Sequence, residues 1–114
     1  MNIWYRVSNL EAARAFYTQQ LGFEQVYFDK EDRWIRLVRN GVEIAISDDE
    51  FEGGTTGEED EVVAAIEVAD VKAEAERLRD AGVNVGVVLE IPGAIRLLDV
   101  FDPDGNRVQL TQDI

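Results

Sequence analysis

Apolar and polar positions alternate at the start of the chain. Ile3, Tyr5 and Val7 share one face and Asn2, Trp4 and Arg6 the other, which predicts a half-buried strand over Asn2 to Val7. The period then lengthens. Leu10, Ala13, Phe16 and Tyr17 recur at helical spacing; Ser8 with Glu11 forms a candidate capping box, Asn9 is the competing cap, and Gly22 offers a left-handed stop. Strands are predicted over Phe23 to Asp29 and Arg33 to Arg39, joined by the charged turn Lys30-Glu31-Asp32. In the latter strand Ile35 and Leu37 oppose Trp34, Arg36 and Val38. Asn40-Gly41 tolerates positive φ at both positions and predicts a hairpin into Val42 to Ser47, with Val42, Ile44 and Ile46 inward.

The same order then returns. Val62 to Val68 reads as a strand. Asp70 caps a helix carrying Val71, Ala75, Leu78 and Ala81 on one face, and Gly82 ends it as Gly22 ended the first. Val83 to Ile91 and Ala94 to Phe101 read as strands around a Pro92-Gly93 turn. Pro103 and Gly105 make a tight turn before a last strand in which Val108 and Leu110 oppose Arg107, Gln109 and Thr111. Strand-helix-strand-strand-strand thus occurs twice, an internal repeat. Val7 indexes to Val68, Leu21-Gly22 to Ala81-Gly82, Ile35-Arg36-Leu37 to Ile95-Arg96-Leu97, and Asn40-Gly41 to Asp104-Gly105. The fold class is α+β: two tandem βαβββ modules in one domain, with repeat one at 1–47 and repeat two at 62–114. Between them, 48–61 holds eight acids, three glycines and one large apolar residue, Phe51, which predicts a solvated, mobile linker.

Composition narrows the chemistry. The 114 residues contain no cysteine and no histidine, so thiol chemistry, disulfides, the commonest general base and the commonest metal ligand are all excluded. The net charge of −13 argues against nucleic acid and anionic membrane partners, whose binding rests on neutralising phosphates. There is no basic segment before an apolar run and no apolar run of membrane-spanning length, and the cysteine-free composition suits a reducing cytoplasm.

The closing stretch, Phe101-Asp102-Pro103-Asp104-Gly105-Asn106-Arg107-Val108-Gln109-Leu110, resembles the final hairpin of the vicinal-oxygen-chelate superfamily, which comprises glyoxalase I, bleomycin-resistance proteins and extradiol dioxygenases. Val7-Ser8-Asn9-Leu10, Phe16-Tyr17 and Leu21-Gly22-Phe23-Glu24 resemble the same family's opening. The resemblance implies paired βαβββ modules as a curved mixed sheet around a cleft, a homodimer, and, in metal-using members, four inward ligand positions. Here those positions fall on Asn2, Ala45, Val63 and Gln109. Two are aliphatic and two are neutral amides, so no metal and no cofactor is expected, unless displaced ligands such as Glu43 or Glu67 hold a hard ion.

Parity places Trp4, Arg6, Trp34, Arg36, Glu43, Glu67, Arg96, Arg107 and Gln109 on the cleft face. As a binding site, the tryptophans would stack on a planar ligand and the arginines would grip an anion. As structure alone, the charges would be ion pairs across the sheet. Glu43 and Glu67 are the candidate acid–base groups. The expected function is metal-free small-molecule binding resembling the bleomycin-resistance branch, by drug sequestration. The alternatives are a lyase or isomerase with a displaced metal or a glutamate base, and a partner-binding module. The acidic surface favours a cationic ligand and the cleft arginines an anionic or aromatic one, a conflict that the sequence leaves open.

Overall fold

The N-terminal alternation becomes β1 (Ile3–Arg6), and the helical stripe becomes α1 (Leu10–Ala15), prolonged by a π-helical turn over Phe16–Gln20. β2 (Glu24–Asp29), β3 (Trp34–Arg39) and β4 (Val42–Ser47) complete the first module. The second module is β5 (Ala64–Glu67), α2 (Val71–Asp80), β6 (Asn84–Val85), β7 (Leu89–Ile91), β8 (Ile95–Phe101) and β9 (Arg107–Asp113). The computed structural model describes residues 3–49 and 63–114. Asn2, Val62, Phe51 and the rest of the expected linker beyond Asp49 lie outside them.

Each module forms one mixed sheet, ordered β1-β4-β3-β2 in the first and β5-β9-β8-β6 in the second, where β7 also pairs with β8. β1–β4 and β5–β9 are parallel and the other pairs antiparallel. The hairpin Asn40-Gly41 takes positive φ at both positions, 49° and 79°, as its sequence requires.

Four expectations are corrected. The first helix is capped by Asn9, whose Oδ1 accepts from Ala12 N at 3.0 Å, and not by a Ser8–Glu11 box. Ser8 N instead donates to Asp104 Oδ1 in the closing turn, 3.1 Å away. Ala81 is exposed, because α2 ends at Asp80 and Ala81 sits beyond its buried face. The strand expected over Val83 to Ile91 is broken: Val85 pairs with Val100 but Leu89 with Leu97, so four residues oppose three and the extra one forms a bulge. β2 carries the same device, since Gln25 pairs with Leu37 and Tyr27 with Arg36, leaving Val26 over. Finally, the repeat index of the third strands shifts. Ile35 pairs with Ile46 as Leu98 pairs with Leu110, so Ile35 matches Leu98 and Arg36 matches Asp99. The shared Ile-Arg-Leu triplet is a coincidence of sequence; position relative to the closing strand decides the equivalence.

One hydrophobic core joins the helix-side faces of both sheets, running from Tyr5, Tyr17, Ile44 and Ile46 to Ile66, Val71, Leu98 and Leu110. Buried polar groups fasten it. Tyr5 Oη donates to the Arg107 carbonyl at 2.6 Å and accepts from Ala64 N at 3.0 Å, so one hydroxyl of the first module satisfies two backbone groups of the second. The buried Asp102 carboxylate accepts from Tyr17 Oη (2.8 Å), Asn106 Nδ2 (2.9 Å) and the amides of Asp104 and Asn106. Asn106 Nδ2 also reaches the Arg6 carbonyl. The Asp-Pro-Asp-Gly-Asn turn is therefore a joint between modules as well as a hairpin. Among the described residues no helix is long and apolar enough to cross a membrane.

Candidate ligand-binding face

The sheet faces turned away from the helices carry the candidate chemistry. On the first sheet that face presents Trp4 and Arg6 from β1, Glu43, Ala45 and Ser47 from β4, and Trp34, Arg36 and Val38 from β3, because Tyr5, Ile44, Ile46, Ile35 and Leu37 point into the core. Trp4 lies opposite Ala45 on one side of β4, and Trp34 lies opposite Ser47 on the other. The two indoles lean together across the middle strand, with ring centroids 5.2 Å apart at 54°. Ala45 beneath them is 1% exposed although it faces away from the core. A larger residue there would hold the rings apart.

Tyr27 and Asp29 join this group, and sequence parity alone missed them as site residues. The bulge at Val26 advances the alternation of β2 by one, so that Phe28 packs against the core while Tyr27 and Asp29 share the face of Trp34. The Tyr27 ring lies 5.0 Å from that of Trp34 at 52°. Asp29 is the direct cross-strand neighbour of Trp34. Its Oδ1 accepts from the amides of Glu31 and Asp32, and its Oδ2 lies 3.4 Å from Tyr27 Oη. The only clue in the sequence was the broken alternation of Gln25-Val26-Tyr27-Phe28.

The charged candidates fall into separate places. Arg36 Nε lies 3.3 Å from Glu43 Oε1, an ion pair on the aromatic face. Arg107 and Gln109 occupy the equivalent face of the second sheet, where Asp99 meets both: Gln109 Nε2 donates to it at 3.1 Å and Arg107 Nη1 lies 3.9 Å away. Arg96 leaves the group. It shares the parity of Leu98 and Val100, pairs across the strand with Gln112, and binds Glu90 at 2.6 Å, holding that carboxyl below its usual range. Its expected place on the cleft face followed from the misindexed triplet. Glu67 keeps the expected face, since it lies opposite Thr111 and alternates with the buried Ile66. It is exposed at the hairpin end, where its carbonyl accepts from Asn40 Nδ2 at 2.9 Å. There it lines a groove of about 360 Å³ with Arg39, Asn40, Asp70, Glu74 and Arg77. Asn40 follows Trp34 by six strand residues, roughly 20 Å along β3. Of the two carboxylates considered for acid–base work, Glu43 is already paired with Arg36.

The family's metal positions do not fit an ion. Ala45 is an aliphatic side chain under two indoles, Val63 is aliphatic, and the Gln109 amide donates to Asp99. Asn2 lies outside the described residues. Among the described residues no cluster of three or more His, Cys, Asp or Glu side chains is arranged to hold a metal.

The fold has solved relatives. An antibiotic binding protein, TnmS3, from Streptomyces sp. CB03234 is 25% identical with a TM-score of 0.81, over 99% of this chain and 93% of that one. A superfamily member from Sphaerobacter thermophilus DSM 20745 is 27% identical with a TM-score of 0.76, over 98% and 94%. The fosfomycin resistance protein FosX from Listeria monocytogenes is 19% identical with a TM-score of 0.77, over 100% and 92%, a likeness of fold. No curated protein sequence matches. The sequence model described as Glyoxalase/Bleomycin resistance protein/Dioxygenase superfamily matches residues 2–110. With two βαβββ modules, the closing Asp-Pro-Asp-Gly-Asn joint and a family match over nearly its whole length, the chain belongs to the glyoxalase/bleomycin resistance protein/dioxygenase superfamily.

Proposed function

We propose that this protein is a metal-free small-molecule binder, akin to the antibiotic-sequestering members of its superfamily, and that its ligand lies against the face formed by Trp4, Trp34 and Tyr27. The observation that carries this reading is the replacement at Ala45. Where a metalloenzyme of the family needs a ligating side chain, this chain has a methyl group under two leaning indoles, which makes an apolar platform. Large aromatic surfaces of this kind favour flat ligands. The likeness to TnmS3, an antibiotic binding protein, supports small-molecule binding.

The homodimer is part of the reading. Tyr27 on the first sheet and Leu89 and Ile91 on the second are 45%, 52% and 56% exposed on the faces away from the helices, and a second copy laid against them would cover them and close the site.

The test is tryptophan-fluorescence titration with a planar tricyclic, acridine, alongside native mass spectrometry before and after a chelator. Saturable quenching that falls about tenfold or more in Trp34→Ala, a dimer mass, and no chelator-removable ion are expected. A chelator-removable mass matching one divalent ion per site would overturn the metal-free reading. A ligand recovered chemically changed, with the change lost in Glu43→Gln, would replace the binder with the lyase or isomerase alternative.

A further inference from the structure

Resting on the binding reading above, we propose that the ligand class is a planar organic cation, an aromatic ring system bearing a quaternary or protonated nitrogen, held against the three rings with the Asp29 carboxylate as its counter-charge. Composition alone left two opposed indications, an acidic chain and an arginine-bearing cleft. The structure separates them. Arg36 is matched by Glu43 at 3.3 Å, Arg107 by Asp99 at 3.9 Å and Arg96 by Glu90 at 2.6 Å. Each arginine thus already has a carboxylate within ion-pair distance, although the Nε atoms of Arg36 and Arg107 are buried without a hydrogen bond.

What the face presents instead is π-surface and a carboxylate. Trp34 is in ring contact with both Trp4 and Tyr27, which are inclined to it at 54° and 52°. Indole and phenol faces are electron-rich and attract a cation lying within about 6 Å of the ring centroid. Asp29 stands directly across the strand from Trp34, on the same face. Its oxygens are surrounded by the amides of Glu31 and Asp32 and the Tyr27 hydroxyl, which orient the carboxylate without neutralising it. Arg6 also lies on this face. Counting it, Glu24, Asp29 and Glu43 outnumber Arg6 and Arg36, and the chain's net charge of −13 adds a long-range field of the same sign. Near neutral charge on the arginine pairs, π-surface and one oriented carboxylate together select for positive charge delocalised over a flat ring.

The experiment is a calorimetric comparison of three probes that share one ring system: N-methylacridinium, acridine at a mildly alkaline pH where it is neutral, and acridine-9-carboxylate. The cation should bind about tenfold tighter than the neutral ring, and the anion weakest. Asp29→Asn keeps the acceptor oxygen that caps the Glu31 and Asp32 amides, so the turn should survive. It should weaken the cation about three- to fivefold and leave acridine unchanged. Arg36→Gln removes a positive charge beside the rings and should tighten the cation, whereas an anion-gripping site would lose affinity. Equal affinity for cation and neutral ring, or preference for the carboxylate, would overturn the charge assignment while leaving the aromatic platform standing. Failure of all three probes to bind would overturn the platform with it.

Discussion

Replacing Tyr5 by Phe removes one oxygen atom and should loosen the junction between the modules. The hydroxyl is fully buried; it donates to the Arg107 carbonyl at 2.6 Å and accepts from Ala64 N at 3.0 Å. Phenylalanine fills the same space, so no cavity opens and the effect is that of two backbone groups left without this partner. A buried orphan of this kind costs about 1–3 kcal/mol, and the carbonyl, with its second lone pair, belongs at the lower end. The sum is about 2–4 kcal/mol, a large share of the 5–15 kcal/mol typical of a whole domain. Urea unfolding followed by far-ultraviolet circular dichroism would read it as a lower midpoint at unchanged slope, and thermal melting as a fall of about 10 °C. Tyr27→Phe is the control, because that hydroxyl is solvent-exposed and 3.4 Å from Asp29, and it should cost less than about 0.5 kcal/mol. If Tyr5→Phe were as mild as Tyr27→Phe, the hydroxyl would not be what joins the modules.

Three further outcomes follow from the same geometry. Tyr17 is buried and its hydroxyl donates to the Asp102 carboxylate, and both the burial and that neighbouring charge hold its phenol well above the usual range. Above about pH 10 the unfolded chain sheds this proton while the native chain keeps it, so the associated stability is complete below that pH and falls as pH climbs through the folded-state value. Urea midpoints measured from about pH 9 to about pH 11 should therefore drop more steeply in the wild type than in Tyr17→Phe, and parallel slopes would refute the assignment. Ala45→Leu should separate the indoles, cost about 1–3 kcal/mol by overpacking and reduce the near-ultraviolet dichroism of the tryptophan pair. An unchanged spectrum would mean that the rings do not rest on Ala45. Gly41→Ala, at φ 79°, should cost about 1–2 kcal/mol in thermal melting with no effect on acridine binding, since the hairpin lies at the far end of β3 from Trp34.

The helix-facing half of this protein was legible in its sequence, and the open half was legible only in part. Tyr5, Ile44, Ile46, Leu98 and Leu110 alternate with polar neighbours, and burial enforces that alternation, so period and parity found them. Asp70 and Gly22 could be read because caps and left-handed turns demand particular residues. Bulges leave no comparable signature. The extra residue in β2 reverses the direction of everything after it, which turned Tyr27 and Asp29 onto the site unannounced. The corresponding break after Val85 split one expected strand in two. Arg96 was misplaced for a different reason: a three-residue match with Ile35-Arg36-Leu37 outweighed the strand register, which can only be read from the pairing of β8 with β9. Asp102 and Asn106 looked like turn residues and proved also to be the buried joint, a contact between residues about a hundred positions apart that no local pattern encodes.

Comparing the two modules position by position shows where selection had freedom. On the helix side Tyr5 matches Ile66, Ile44 matches Val108, Ile46 matches Leu110 and Leu37 matches Val100, every one apolar on both sides. Close packing accounts for that, since one shared core tolerates neither a charge nor a void at these positions. On the open side Trp4 matches Ala65, Trp34 matches Leu97, Ala45 matches Gln109, Arg36 matches Asp99 and Glu43 matches Arg107. Folding does not require those differences, because both sheets form with either set. The aromatic platform was concentrated on one module, and the ion pair was kept in both with its charges exchanged between strands, at 3.3 Å in the first and 3.9 Å in the second. An exchanged pair is still a neutral pair. Net charge at the rings therefore comes from outside these pairs, from Arg6, Glu24 and the Asp29 carboxylate that the β2 bulge turns toward Trp34, and on the proposed cation reading Asp29→Asn is the substitution that the ligand should register most.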